Sequence, residues 1–125
     1  MIIQEPNQIG IGEVAHVKLK KLHEDRHFAE MRDAYRFAIA LALAHGVVPK
    51  DITGSRQNIY SVATVDPDQS LYTAIKALIN TGDTPVYRWA ERLADWGVIE
   101  MSKRADEGTL DIGQILKESE TLSLE

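Results

Sequence analysis

Between His27 and His45 the apolar residues recur at steps of three and four: Phe28, Met31, Ala34, Tyr35, Ala38, Ile39, Ala42 and Leu43. A helix brings residues so spaced onto one side. Phe37 and Leu41 widen the stripe, so the second half of this segment is apolar nearly all round. The pattern predicts a helix over 27–45, placed at the centre of its domain or in an interface between copies. Gly46 follows as a C-cap, where a left-handed residue needs no Cβ, and Pro49 lies shortly beyond. The segment from Tyr35 to Leu43 carries more apolar surface than a lone protomer is expected to hide. Tyr35, Phe37, Ile39, Leu41 and Leu43 are therefore the candidate interface residues of a homo-oligomer.

The chain has 125 residues, the length of a single domain. Hydrophobic residues make up 44% and charged residues 26%, ordinary usage that excludes collagen-like, mucin-like and wholly disordered chains. The absence of cysteine excludes a disulfide framework, a thiolate zinc cage, an iron–sulfur cluster and a cysteine nucleophile. The longest apolar run, Phe37 to Ala44, has eight residues, against the ~20 that span a bilayer. The opening Met-Ile-Ile-Gln-Glu-Pro has neither the basic nor the apolar region of a secretion signal. A cytoplasmic protein without a membrane partner is expected.

Residues 1–14 read as an irregular arm with a short strand. From Ala15 to Leu22, Val17 and Leu19 alternate with Lys18 and Lys20, which favours a strand over the first turns of a helix. Residues 47–58 form a turn-rich loop, and 59–65 is a short β-branched strand or extended lead-in. Asp66-Pro67 marks a helix start, with Leu71, Ile75, Leu78 and Ile79 as its apolar side. Thr84-Pro85 repeats that signal before Val86, Trp89, Ala90, Leu93 and Ala94, and Gly97 closes the helix. Arg88, Glu91, Arg92, Asp95 and Trp96 fall on its exposed side. A charged turn over 102–108, a weak helix over 110–117 and a frayed acidic tail over 118–125 complete the chain. The fold class is mainly α: one bundle-like domain of three to four helices over 1–125. One or two short strands are expected near the N-terminus and around 59–65.

Charge is unevenly spread around a net −5. Residues 1–60 hold eight basic and seven acidic side chains, while 61–125 hold six and twelve. Lys18, Lys20 and Lys21 open a basic stretch that continues through Arg26, Arg32 and Arg36. Such a stripe is the footprint of nucleic-acid binding, although Glu24, Asp25, Glu30 and Asp33 cancel much of its field. Lys18, Lys20 and Lys21 are the candidate nucleic-acid contacts. In a ribbon–helix–helix arrangement, a Val17–Lys20 strand would pair with its dimer mate and enter a major groove. The acidic total ranks this reading second.

His23-Glu24-Asp25-Arg26-His27 matches H-E-x-x-H, which on a helix holds zinc between two His while the Glu acts as base. A small zinc metallopeptidase using His23 and His27 is the third reading. Against it stand two charged residues between Glu24 and His27, a position at the start of the helix rather than within it, the basic flank Lys20-Lys21, and no marked third ligand beyond a chance Glu91 or Asp95. Gly10 and Gly12 do not complete a dinucleotide-binding turn. Asp66, Asp68 and Asp83 read as cap and turn acids. No catalytic residue and no cofactor are expected.

The run from Phe28 through Met31, Ala34-Tyr35-Arg36-Phe37-Ala38 and Ala40-Leu41-Ala42 to Gly46 resembles the long helix of small bacterial proteins encoded beside DNA phosphorothioation (Dnd) gene clusters. The run Ala90-Glu91-Arg92-Leu93-Ala94-Asp95-Trp96-Gly97-Val98-Ile99-Glu100-Met101 is similar to that family's second marker. The resemblance spans residues 28–101 and departs from the family pattern around Trp96 and over 47–65. It implies a non-enzymatic accessory protein of a bacterial DNA-modification or phage-defence system, with a protein partner in that complex. It supplies no catalytic residues.

Overall fold

The computed structural model describes residues 3–52, 54–108 and 110–111. Their order is β1 (Gln8–Gly12), α1 (Glu13–Glu24), α2 (Met31–Ala44), β2 (Arg56–Ser61), α3 (Val62–Val65), α4 (Ser70–Leu78) and α5 (Val86–Asp106). The molecule is mostly helical, with one small sheet in which β1 and β2 run antiparallel. None of the described helices is long and apolar enough to cross a membrane. Most of the expected 110–117 helix, and all of the 118–125 tail, lie outside the described residues.

The segment from Ala15 to Leu22 is helical, not a strand. Ala15, Leu19 and Leu22 repeat at four and three, and all three are buried, while Val17 stays outside. Burial of that stripe outweighs the short alternation around Val17. Glu13 in the first turn, and Lys21 and His23 in the last, also suit the helix dipole. The paired strand required by a ribbon–helix–helix arrangement is therefore absent at this position. The N-terminal strand lies earlier, within the expected arm.

Helix α2 starts at Met31, four residues later than expected, because the chain reverses through Arg26 in the left-handed region (φ 63°). Its end is as expected. Gly46 has φ 67°, its N–H reaches Leu43 O at 3.0 Å, and the Val47 N–H reaches Ala42 O at 3.3 Å. These are the two bonds of a Schellman closure.

Helix α5 runs straight through Gly97 and through most of the expected charged turn. Gly97 is a packing glycine, since a Cβ there would lie 2.1 Å from the carbonyl oxygen of Ala38 on α2. The two helices cross backbone to backbone at that point. α5 also packs against α1, α4 and β1, so it forms the spine of the core. Against it Tyr35, Ile39 and Leu41 are wholly buried and Leu43 is nearly so, while Phe37 is half-buried. Tyr35, Ile39, Leu41 and Leu43 face the chain's own interior. Of the apolar surface from which self-association through α2 was expected, only Phe37 stays partly exposed.

Two distant acids seat the remaining helices. Asp66 does not sit at the first turn of α4, and Pro67 lies in a preceding turn, but the Asp66 carboxylate accepts the N–H groups of Leu71 (2.9 Å) and Tyr72 (3.0 Å). Glu5 does the same for Val86 and Tyr87 at the start of α5, both at 2.9 Å. Four free amides at helix starts thus find carboxylate partners.

Candidate functional site

The densest polar cluster lies where β1 meets α5. Residues of β1 present their backbone groups alternately to the two sides of the strand. Gly10 and Gly12 turn theirs away from β2, toward α5. The N–H of Gly10 donates to Glu91 Oε2 at 2.7 Å, and that of Gly12 donates to Asp95 Oδ1 at 3.0 Å. The Tyr35 hydroxyl donates to the Gly10 carbonyl at 2.7 Å. Side chains from two helices thus replace a third strand along this edge.

Glycine is required at Gly10, where the close neighbour is backbone, and favoured at Gly12, where it is a side chain. A Cβ on Gly10 would stand 2.1 Å from Gln57 O at the bulge between Ile9 and Gly10, and one on Gly12 would stand 2.6 Å from Asp95 Oδ1.

Glu91 is only 2% exposed. Besides Gly10, it accepts from Arg56 of β2, whose guanidinium crosses β1 to reach it, and from Arg88 Nη1 at 2.9 Å to each oxygen. Two arginines and a backbone amide satisfy a carboxylate that burial would otherwise penalise. Burial first, and then the neighbouring Glu91 charge, hold the Tyr35 hydroxyl well above its usual range. Asp95 has no arginine bonded to it, and burial pushes its carboxyl above the usual carboxylate range, against the opposing pull of the Gly12 N–H.

Beside Asp95 opens a cleft of about 510 Å3, lined by Gly12, Pro49, Ile52, Arg92, Asp95 and Trp96 among others. The Arg92 guanidinium lies 4.5 Å over the Trp89 ring, with its buried Nε 3.6 Å from Asp51 Oδ1 and without a hydrogen bond. The walls thus mix both signs of charge with apolar surface.

The residues singled out in the sequence are scattered. His23 lies in the last turn of α1 and is exposed, with Nε2 3.2 Å from Ala29 O, while His27 lies beyond the left-handed Arg26. They do not share a helix face, and among the described residues no group of three His, Cys, Asp or Glu is placed to hold a metal ion. Lys20 and Lys21 are exposed on α1 and Lys18 is half-buried there. Asp68 is a turn acid as expected, its Oδ1 accepting the Ser70 N–H at 3.1 Å, whereas Asp66 is not the N-cap expected: that position is Gln69, and Asp66 reaches the first turn of α4 from three residues before it.

Sequence reading placed Glu91 and Asp95 on the exposed side and so missed this cluster. The available signal was the pairing of Gly-Ile-Gly, two residues apart on a strand, with Glu91 and Asp95, one turn apart on a helix. No family model matches the chain, and neither does any curated protein or solved structure.

Proposed function

We propose that this chain is a non-enzymatic interaction protein, acting as a homo-oligomer and as an accessory to a partner protein. The resemblance of residues 28–101 to Dnd-associated proteins suggests a bacterial DNA-modification or phage-defence setting. The reading is supported by the outer face of α1. Val14 and Val17 are each 66% exposed there, and with Lys18 and Lys21 they follow the three- and four-residue spacing of a single helix face. An aliphatic pair flanked by lysines suits an acidic, partly apolar protein surface. The buried carboxylates Glu91 and Asp66 hold backbone amides, arginines and a tyrosine, which is the work of a scaffold. Light scattering of the purified chain across the micromolar range tests self-association. A mass of two or more chains is expected, and a monomer throughout overturns it.

Direct nucleic-acid binding is the second reading, favoured by Lys18, Lys20 and Lys21 all lying on α1 with Lys20 and Lys21 exposed. If these three contact phosphates, the logarithm of duplex affinity should fall with the logarithm of salt concentration at a slope of roughly −2.7. No retention of duplex at low salt removes this reading.

A further inference from the structure

We propose that the cleft beside Asp95 binds a free α-amino acid with an apolar side chain, its carboxylate held by Arg92 and its ammonium by Asp95. The inference goes beyond the reading of the chain as an interaction protein and stands apart from it.

The cleft, of about 510 Å3, lies between the start of α1, the 49–55 segment and α5. Apolar walls with a few converging polar groups are the usual form of a small-molecule site of this size. Here Pro49, Ile52, Trp96 and Ile99 supply apolar wall, with Val14 at the start of α1. Val14 is 66% exposed and Ile99 41%. A single exposed aliphatic needs no explanation, but two beside one cleft give an apolar ligand surface to cover.

Six charged side chains line the same cleft, and four of them are already satisfied. Glu13, Lys50 and Asp51 are exposed, so water solvates them. Glu100 pairs with Arg104 one turn further along α5, at 3.3 Å. Arg92 and Asp95 remain, and each is short of partners. The Arg92 side chain is 17% exposed and its guanidinium lies over Trp89. Its buried Nε has no acceptor, and none of its N–H groups makes a hydrogen bond among the described residues. Asp51 is its ion-pair neighbour, at 3.6 Å and itself 83% exposed. Asp95 uses Oδ1 for the Gly12 N–H, and its Oδ2 has no hydrogen bond among the described residues. Burial disfavours the Asp95 charge, and that N–H alone pulls the other way.

Arg92 and Asp95 stand three residues apart on α5, the spacing that brings side chains to one face. Even so, no ion pair joins them. An unmatched cation and an unmatched anion in one cleft fit a ligand that carries both charges close together. A plain anion would meet Asp95, and a plain cation would meet Arg92. An α-amino acid answers each with a charge-assisted hydrogen bond and adds no net charge. Its side chain is left for Trp96, Ile99 and Val14.

The test is calorimetric titration of the full chain with L-leucine, L-methionine and L-phenylalanine, each beside its desamino acid and its decarboxylated amine. At least one amino acid should bind at millimolar concentration, and removing either of its charges should weaken binding ~10-fold or more. Asp95→Asn keeps an oxygen for the Gly12 N–H. It should weaken the amino acid by the same factor and leave the desamino acid no weaker. Arg92→Gln should weaken the amino acid and leave the amine no weaker. If Arg92→Gln does not fold, Asp95→Asn and the analogues decide. A purely structural role for Asp95 would weaken amino acid and desamino acid together, and that result overturns its part in binding. A desamino acid or an amine that binds as well as its parent overturns the zwitterion. No binding by any of the three amino acids overturns the site.

Discussion

The Glu91 carboxylate accepts the backbone N–H of Gly10 at 2.7 Å, across 81 positions of sequence. Four residues along the same helix, Asp95 accepts the N–H of Gly12. Two residues of strand advance about 6.7 Å and four residues of helix about 6 Å. A strand lying along a helix therefore offers every second amide to every fourth side chain. The match lets α5 act as an edge partner for β1.

Removing that carboxylate should be costly. Glu91→Ala leaves the Gly10 amide without an acceptor and Arg56 and Arg88 without their shared anion. A loss of about 3–5 kcal/mol is expected, read from the urea unfolding midpoint. Glu91→Gln keeps an acceptor for Gly10 and should lose less. Equal losses from the two variants would show that the charge, and not the acceptor, carries the contact.

Much of the helical architecture was legible because burial leaves a periodic trace. The stripe from Ala34 to Leu43 marks α2, and Gly46 marks its end. Two of the misreadings share a physical cause: each depends on a partner far along the chain. Gly97 looks like a stop signal until α2 is laid against it. Glu91 looks exposed until β1 arrives with an unpaired amide. The Val17–Lys20 alternation reads as a strand because four residues are too few to separate a period of two from one of 3.6.

Gly97→Ala is expected to destabilise. Helix propensity alone favours alanine by about 1 kcal/mol. Here the added methyl would meet the Ala38 carbonyl at 2.1 Å, and backbone cannot rotate away. Forcing α2 and α5 apart should cost about 1–3 kcal/mol net. A thermal midpoint at or above wild type would show that the helices separate without penalty.

Asp66 joins the start of α4 to α5, because its Oδ2 also accepts the Tyr87 hydroxyl at 2.8 Å. Tyr87→Phe removes one of three bonds and should cost about 0.5–1.5 kcal/mol. Asp66→Ala leaves the Leu71 and Tyr72 amides and the tyrosine unpaired, and should cost clearly more. Denaturant midpoints of the two variants check the order, and the reverse order would place the stabilisation elsewhere.

The left-handed turn at Arg26 separates His23 from His27. Stoichiometric zinc should therefore leave the thermal midpoint unchanged, and His23→Ala should behave as wild type with or without the metal. A zinc-dependent rise that is lost in the variant would mean that the two imidazoles converge.

Asp95 should give stability an unusual pH dependence. Its folded carboxyl titrates above the unfolded value of 3.8, chiefly because burial disfavours the charge. Between 3.8 and that raised value the folded chain holds more proton than the unfolded one. The contribution of Asp95 to stability therefore declines as pH rises through that window. Asp95→Asn keeps an oxygen for the Gly12 N–H but carries no charge to desolvate. The variant should match wild type below the window and gain on it as pH rises, reaching a constant advantage near neutrality. Urea midpoints measured for both proteins from about pH 3 to pH 8 read the difference directly. If the wild type is the more stable at neutral pH, the carboxylate charge strengthens the Gly12 contact by more than its burial costs.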